Sequence, residues 1–238
     1  MPLRSRAIVK LTAASLLLLA ALPIQAQAQL APFSAQYSAT LDLLIDLPVT
    51  ATRKLEQSPS GLWHFSSEAK STFASQSEAS TLGYKNSRWT PLSYKFNRSV
   101  FGRKRNLSIS FDAERQRITT VAKQQPWAQA YEADVQDKLS YQLQLREDLI
   151  AGREELSYRI ADGGKIKTYR FVRSGEETLT TPAGTFDCVR LQLERAADQQ
   201  QTLIWMAPAL DYLTVRLLRV DASGREHFLN LKSLEANR

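Results

Sequence analysis

One stretch limits the folds open to this chain. Residues 134–152 form the only long segment whose apolar residues repeat at helical spacing, and the segments on either side alternate as strands do. At about 100° per residue, Val135, Leu139, Leu143 and Ile150 share a stripe. Tyr141, Leu145 and Leu149 widen it to roughly half the cylinder. Gln136, Ser140, Gln144 and Glu147 fall opposite. Asp134 is the expected N-cap, Asp137 faces the same free amides, and Gly152 is the expected C-terminal cap. An apolar arc this wide predicts a helix clasped by a curved sheet.

Arg146 interrupts the arc, with Gln142 beside it. An unpaired guanidinium there costs on the order of several kcal/mol, so it needs a carboxylate or several carbonyls. One reading is a structural ion pair, or an arginine that snorkels to the rim. The other places Arg146 and Gln142 against an anionic ligand between helix and sheet, with Trp63 and Tyr94 among the aromatic residues around it. Tyr37, Trp63, Phe65, Tyr94 and Phe96 all lie on strand-like segments, where simple core filling is the plainer role.

Residues 1–28 read as an export signal. Arg4, Arg6 and Lys10 precede an apolar run from Leu11 to Leu22, and Ala26-Gln27-Ala28 gives a small-x-small cleavage site. The run is shorter than the roughly 20 residues of a spanning helix. The expected product is periplasmic, residues 29–238 folded as one β-rich domain, with no transmembrane helix in the mature chain. Removing the leader's three basic residues leaves 28 Lys and Arg against 24 Asp and Glu, a net charge of +4. For an exported protein this implies solubility or affinity for anionic envelope material, and nucleic acid is not an expected partner.

Strict alternation runs from Phe33 to Leu47, predicting a long strand bent near Leu43–Leu44. Val49 to Leu55 continues it, and Ser58-Pro59-Ser60-Gly61 is a turn. Leu92, Tyr94 and Phe96 form one strand; Leu107, Ile109 and Phe111 form the next. Between them, Arg103, Lys104 and Arg105 read as a basic hairpin tip beside Phe101, with Arg98 nearby, either touching anionic lipid or glycan or merely blocking edge pairing. After the helix, Asp162-Gly163-Gly164, Ser174-Gly175-Glu176, Thr181-Pro182-Ala183-Gly184 and Asp221-Ala222-Ser223-Gly224 mark turns at short spacing. The expectation is an antiparallel curled sheet or open β-barrel of about 11–13 strands, with one long helix packed against its concave face.

Little chemistry is written in the motifs. Cys188 is the only cysteine, so no intramolecular disulfide forms, and its strand-like setting suits a small buried hydrophobe. Two isolated histidines, His64 and His227, give no zinc spacing, and neither a metal nor a cofactor is expected. Ser67-Glu68-Ala69-Lys70 matches Ser-x-x-Lys, but on a strand those two side chains point to opposite faces. Asp42 and Asp46 share a strand face without visible opposing acids. A binding protein for an apolar or amphipathic envelope molecule is therefore favoured. An assembly factor with an envelope protein partner follows, then a hydrolase of envelope polymers.

Three local patterns carry a resemblance. They are Asp137-Lys138-Leu139-Ser140 with Arg146, Thr181-Pro182-Ala183-Gly184-Thr185-Phe186 running into Val189, and Trp205-Met206-Ala207-Pro208 followed by Tyr212-Leu213 and Val215-Arg216. With Tyr37 near the mature start, their order and spacing resemble a bacterial envelope family known as domain of unknown function 3108. Thr214 stands where the last pattern would have proline. The resemblance implies a secreted β-rich domain and no assigned chemistry, similar in architecture to the curved half-barrels of periplasmic lipoprotein carriers.

Overall fold

The computed structural model describes residues 30–42, 46–194 and 201–236, with side chains described outside 40–48. The export signal and the bend at Leu43–Leu44 lie outside the described residues, as do the side chains of Asp42 and Asp46.

Before the helix run β1 (Phe33–Asp42), β2 (Asp46–Gln57), β3 (Trp63–Lys70), β4 (Ala74–Lys85), β5 (Arg88–Val100), β6 (Arg103–Asp112), β7 (Arg117–Ala122), β8 (Gln125–Ala130) and β9 (Val135–Gln136). Helix α1 spans Ser140–Ile150. Then come β10 (Leu156–Asp162), β11 (Lys165–Thr181), β12 (Gly184–Leu193), β13 (Gln201–Ala207), a 3-10 turn at Pro208–Leu210, β14 (Leu213–Val220) and β15 (Glu226–Ala236). All fifteen strands join one sheet in the order β8-β7-β6-β5-β4-β3-β2-β1-β15-β14-β13-β12-β11-β10-β9. Every neighbouring pair is antiparallel except β9 and β10, which run parallel.

This order forces curvature. β1 and β15 meet at the centre, so consecutive strands β8 and β9 are the two outer edges. Only residues 131–134 connect them, a reach under roughly 20 Å. Fifteen strands laid flat at about 4.8 Å spacing would put those edges more than 60 Å apart. The sheet must curl until its edges nearly meet, although among the described residues no ladder closes it. Gly164, in the β10–β11 turn, shows how close the two ends come. A Cβ there would lie 1.5 Å from Nε1 of Trp127 on β8.

The strand number exceeds the expected 11–13. The long alternating segment from Phe33 is two strands paired as a hairpin, with Asp42 opposite Asp46, rather than one bent strand. β8 falls where the sequence reads as a lead into the helix, and β9 is Val135–Gln136, which the helical period places inside the helix but which pairs with Arg159 and Ile160 of β10. The basic tip is also displaced. The turn is Phe101–Gly102, and Arg103, Lys104 and Arg105 are the first residues of β6, paired with Val100, Ser99 and Arg98.

The helix is shorter than 134–152 because Asp137, not Asp134, starts it. Asp137 Oδ1 accepts the backbone N–H groups of Leu139 (2.7 Å) and Ser140 (2.8 Å), and Ser140 Oγ accepts the N–H of Asp137 at 2.8 Å. This reciprocal arrangement satisfies amides that an α-helix leaves free. Asp134 instead pairs with Arg159, at 3.3 Å. Ala151 caps the C-terminus, and Gly152 follows with φ of 70°.

Two apolar clusters flank α1. Leu139 and Leu143 join Phe33, Leu55, Trp63, Trp89 and others in one. Leu145 and Leu149 join Tyr158, Ile160, Phe171, Leu191 and Ile204 in the other. The side expected to face water is also covered, because the β4–β5 hairpin end and β10 supply hydrogen-bond partners for it. Gln136 donates to the Trp89 carbonyl (2.8 Å), Gln144 accepts the Trp89 N–H (3.0 Å), Tyr84 donates to Glu147 (3.2 Å) and Tyr158 donates to Asp148 (2.8 Å). Buried polar groups are tolerable only when so partnered. Ile150, placed by its period in the apolar stripe, is 37% exposed. Among the described residues no helix is long and apolar enough to cross a membrane.

Candidate binding cleft

The start of α1 faces an open cleft of about 1070 Å³. One wall comes from β4–β6, through Glu78, Phe96, Arg98 and Arg105. The other comes from β10–β14, through Asp162, Lys167, Tyr169, Leu193, Leu217 and Arg219. Lys138, Tyr141 and Gln142 line it between the walls. A smaller hollow of about 60 Å³, which shares Phe96, Arg105, Lys138 and Asp162, extends it toward Tyr94, Ile109 and Ala161.

The cleft's charges are arranged unequally. Asp162 accepts Lys138 Nζ and Lys167 Nζ, both at 2.7 Å. Its burial opposes ionisation, but the two ammonium groups outweigh that and hold its carboxyl below the usual range. Glu78 accepts neutral donors, the Tyr94 hydroxyl at 2.6 Å and Gln76 Nε2 at 2.8 Å. Burial, then the neighbouring Glu78, push the Tyr94 hydroxyl well above its ordinary value, so it remains a donor. Arg98 and Arg105 have no carboxylate partner among the described residues, and the Arg105 guanidinium sits 5.9 Å from the centre of the Phe96 ring. The lining as a whole carries five basic and three acidic side chains. Apolar surface lies close by, where Tyr141 stacks on Phe171 (5.9 Å, 15°) and meets Tyr169 edge-on at 5.7 Å.

The residues singled out in the sequence separate in space. Gln142 lines the cleft, held by the Lys138 carbonyl at 2.7 Å and Arg53 Nη1 at 3.0 Å. Tyr94 borders the smaller hollow. Trp63 is sealed in the core, edge-on to Trp89 at 5.4 Å, away from both cavities. Arg146 lines neither. Its Nε donates to the Asp211 carbonyl (2.9 Å) and its Nη2 to that of Leu210 (3.3 Å), and the guanidinium lies over Phe33 with 5.0 Å to the ring centre. Burial lowers its pKa to about 10, which leaves it charged at neutral pH. The ion-pair reading of Arg146 therefore gives way to backbone carbonyls as partners. Of the basic tip, only Arg105 reaches the cleft. Ser67 and Lys70 lie on β3 on opposite faces, Ser67 beside Glu78 and Lys70 beside Ser75.

The sequence places Arg98 only beside the basic tip, and gives Lys138, Lys167 and Tyr169 no part in a site. Their signal was present as alternation: Arg98 follows Phe96 by two residues, and Lys167 precedes Tyr169 by two. Only the curl of the sheet shows that these faces oppose each other.

Arg146, in the middle of α1, ties the helix to the 3-10 turn through the Leu210 and Asp211 carbonyls. Thr181-Pro182-Ala183-Gly184 forms the β11–β12 hairpin end, where Thr181 Oγ1 accepts the Ala183 N–H (3.3 Å) and donates to the Gly184 carbonyl (3.2 Å). All three patterns thus do structural work. The family described as protein of unknown function DUF3108 matches residues 25–228. The chain belongs to this family. No curated protein matches it in sequence. Among solved structures, it is similar to a β-barrel-like protein of domain of unknown function DUF1849 from Brucella abortus. Identity is 10% over 88% of this chain and 99% of that one, with a TM-score of 0.57. That likeness shows the fold. Weaker likenesses are to a candidate lipoprotein from Parabacteroides distasonis (14% identity, 87% and 96% covered, TM-score 0.34) and a candidate outer membrane lipoprotein-sorting protein domain from Vibrio parahaemolyticus (11%, 87% and 86%, 0.26).

Proposed function

We propose that this DUF3108 protein is a periplasmic, non-enzymatic carrier for an anionic amphipathic envelope molecule. In this reading residues 29–238 act as one domain, α1 lies on the concave face of the curled sheet, and the ligand enters the cleft beside the helix start. The observation that carries the reading is the pairing, on one wall, of Arg98 and Arg105 without carboxylate partners and Phe96 beneath Arg105. An anionic head would meet the guanidinium groups, which bind carboxylate or phosphate in a planar, two-point manner. The apolar part would lie toward Tyr141, Leu193 and Leu217. A cleft of this size suits a ligand with a lipid-like chain. Gln142 and Tyr94 are proposed as polar contacts, with Arg146 and Trp63 holding the scaffold behind them.

Titration with a fluorescent fatty acid tests this. Binding should weaken about tenfold or more in an Arg98→Ala/Arg105→Ala variant that melts as the parent does, since charge-assisted hydrogen bonds are lost. Equal binding by parent and variant would remove the assignment of the anionic end.

A further inference from the structure

Two hairpin ends lie side by side at one end of β3–β6. The β3–β4 connection places Phe73 there, and the β5–β6 turn places Phe101. The Phe101 N–H donates to the Phe73 carbonyl at 3.0 Å, and Ser71 ties its own turn through the Ala74 carbonyl at 2.8 Å. The rings stack at 5.6 Å and 18°. They are also the two most exposed large apolar side chains among the described residues, 54% and 66%, the next being Leu92 at 39%. Single exposed apolar residues are ordinary, but a stacked pair fixed by a backbone hydrogen bond between two hairpins presents one rigid apolar tip.

Charge surrounds this tip. Arg103 and Lys104 follow Gly102 directly and have no ion pair among the described residues. Cross-strand pairing carries Lys104 to Ser99, Ser99 to Ser75 and Ser75 to Lys70, so a row with a lysine at each end runs behind the phenylalanines. Glu68, two residues from Lys70 on β3, pairs with it at 3.2 Å. A shallow hollow of about 430 Å³ beside the rings is lined by Ser71, Thr72, Ser75 and Ser99, whose hydroxyls suit a headgroup.

We infer that this tip docks on an anionic phospholipid bilayer, with Phe73 and Phe101 entering the interface and Lys70, Arg103 and Lys104 meeting the headgroups. Apolar insertion combined with basic residues is the combination that interfacial binding requires. A soluble polysaccharide would match the charge but gain nothing from two exposed phenyl rings. The docking stands apart from the cleft reading, since neither Arg98 nor Arg105 takes part and no cleft ligand is needed.

The test is sedimentation of the mature protein with vesicles of phosphatidylglycerol and phosphatidylcholine, against phosphatidylcholine alone. The inference expects binding to the anionic vesicles only. Binding should fall about tenfold or more in Phe73→Ser/Phe101→Ser and in Arg103→Ser/Lys104→Ser, with melting unchanged. Should either variant fold poorly, Phe101→Trp provides a second measurement, in which brominated lipids should quench the added tryptophan's emission beyond any quenching of the parent's four tryptophans. Four results would overturn it: no sedimentation with anionic vesicles, equal sedimentation with neutral ones, parent-like binding by both folded variants, or an unquenched Phe101→Trp. Retention on insoluble envelope glycan without vesicle binding would reassign the tip to a polysaccharide.

Discussion

Arg146 Nε donates to the carbonyl oxygen of Asp211 at 2.9 Å, fixing the helix to the 3-10 turn that precedes β14. The turn needs that partner. Asp211 and Tyr212 both hold positive φ (51° and 54°), so its carbonyls point inward from a strained backbone. A charged donor bridging the carbonyls of Leu210 and Asp211 suits an arginine fork, and the Phe33 ring covers its face.

Arg146→Lys should therefore destabilise the protein by about 1–3 kcal/mol, because an ammonium cannot serve both carbonyls and Phe33 together. Urea unfolding of parent and variant checks it. A variant as stable as the parent would show that the turn holds without this side chain.

Asp137 is fully buried, and burial raises its pKa from 3.8 to about 6, against the lowering effect of Ser80, Ser140 and Leu139 as donors. The folded state then binds the proton more tightly than the unfolded chain. Asp137's contribution to stability is fully present below about pH 4 and declines as pH rises through about 6. Relative to Asp137→Asn, in which this group does not titrate, the parent should lose stability as pH rises across that window. Unfolding at pH 4, 5, 6 and 7, roughly bracketing it, provides the measurement.

Two adjacent glycines should respond differently to alanine. Gly163 has φ of 62° and nothing near its absent Cβ, whereas Gly164 has φ of 82° and Trp127 against it. Gly163→Ala should cost about 1–2 kcal/mol of backbone strain. Gly164→Ala should cost about 1–3 kcal/mol more, by displacing Trp127 and loosening the near-meeting of the sheet's ends. Thermal melts compare the two, and a shifted tryptophan emission should accompany only the second.

Cys188 is buried on β12, and burial followed by Asp187 and Glu177 pushes its thiol up to about 11. A thiol held protonated at neutral pH is a poor nucleophile. Ellman's reagent should react only in denaturant. Rapid labelling of folded protein would contradict the burial.

Much of this architecture was legible because strand alternation and helical period are local properties. Tyr37, Trp63, Phe65, Tyr94 and Phe96 were read on apolar strand faces; the first four are buried, and Phe96 is half-buried in the cleft wall. The helix start was misplaced because Asp134 and Asp137 have the same capping chemistry, and only Ser140 and the buried Ser80 partner at 2.5 Å distinguish Asp137. Glu147 and Gln144 read as a solvent face because polar residues announce water, while their real partners, Tyr84 and Trp89, are more than fifty residues away. The cleft was illegible for a similar reason. Arg105 and Lys167 sit on opposing walls, and their meeting depends on the curl of fifteen strands rather than on any local pattern.

Native mass spectrometry of protein purified from its own envelope, followed by solvent extraction, tests the carrier reading most directly. The prediction is an adduct of lipid-like mass that extracts as an anionic amphiphile and is lost from a folded Arg98→Ala/Arg105→Ala variant. A ligand-free mass from gently prepared protein, with no anionic amphiphile in the extract, would contradict the account.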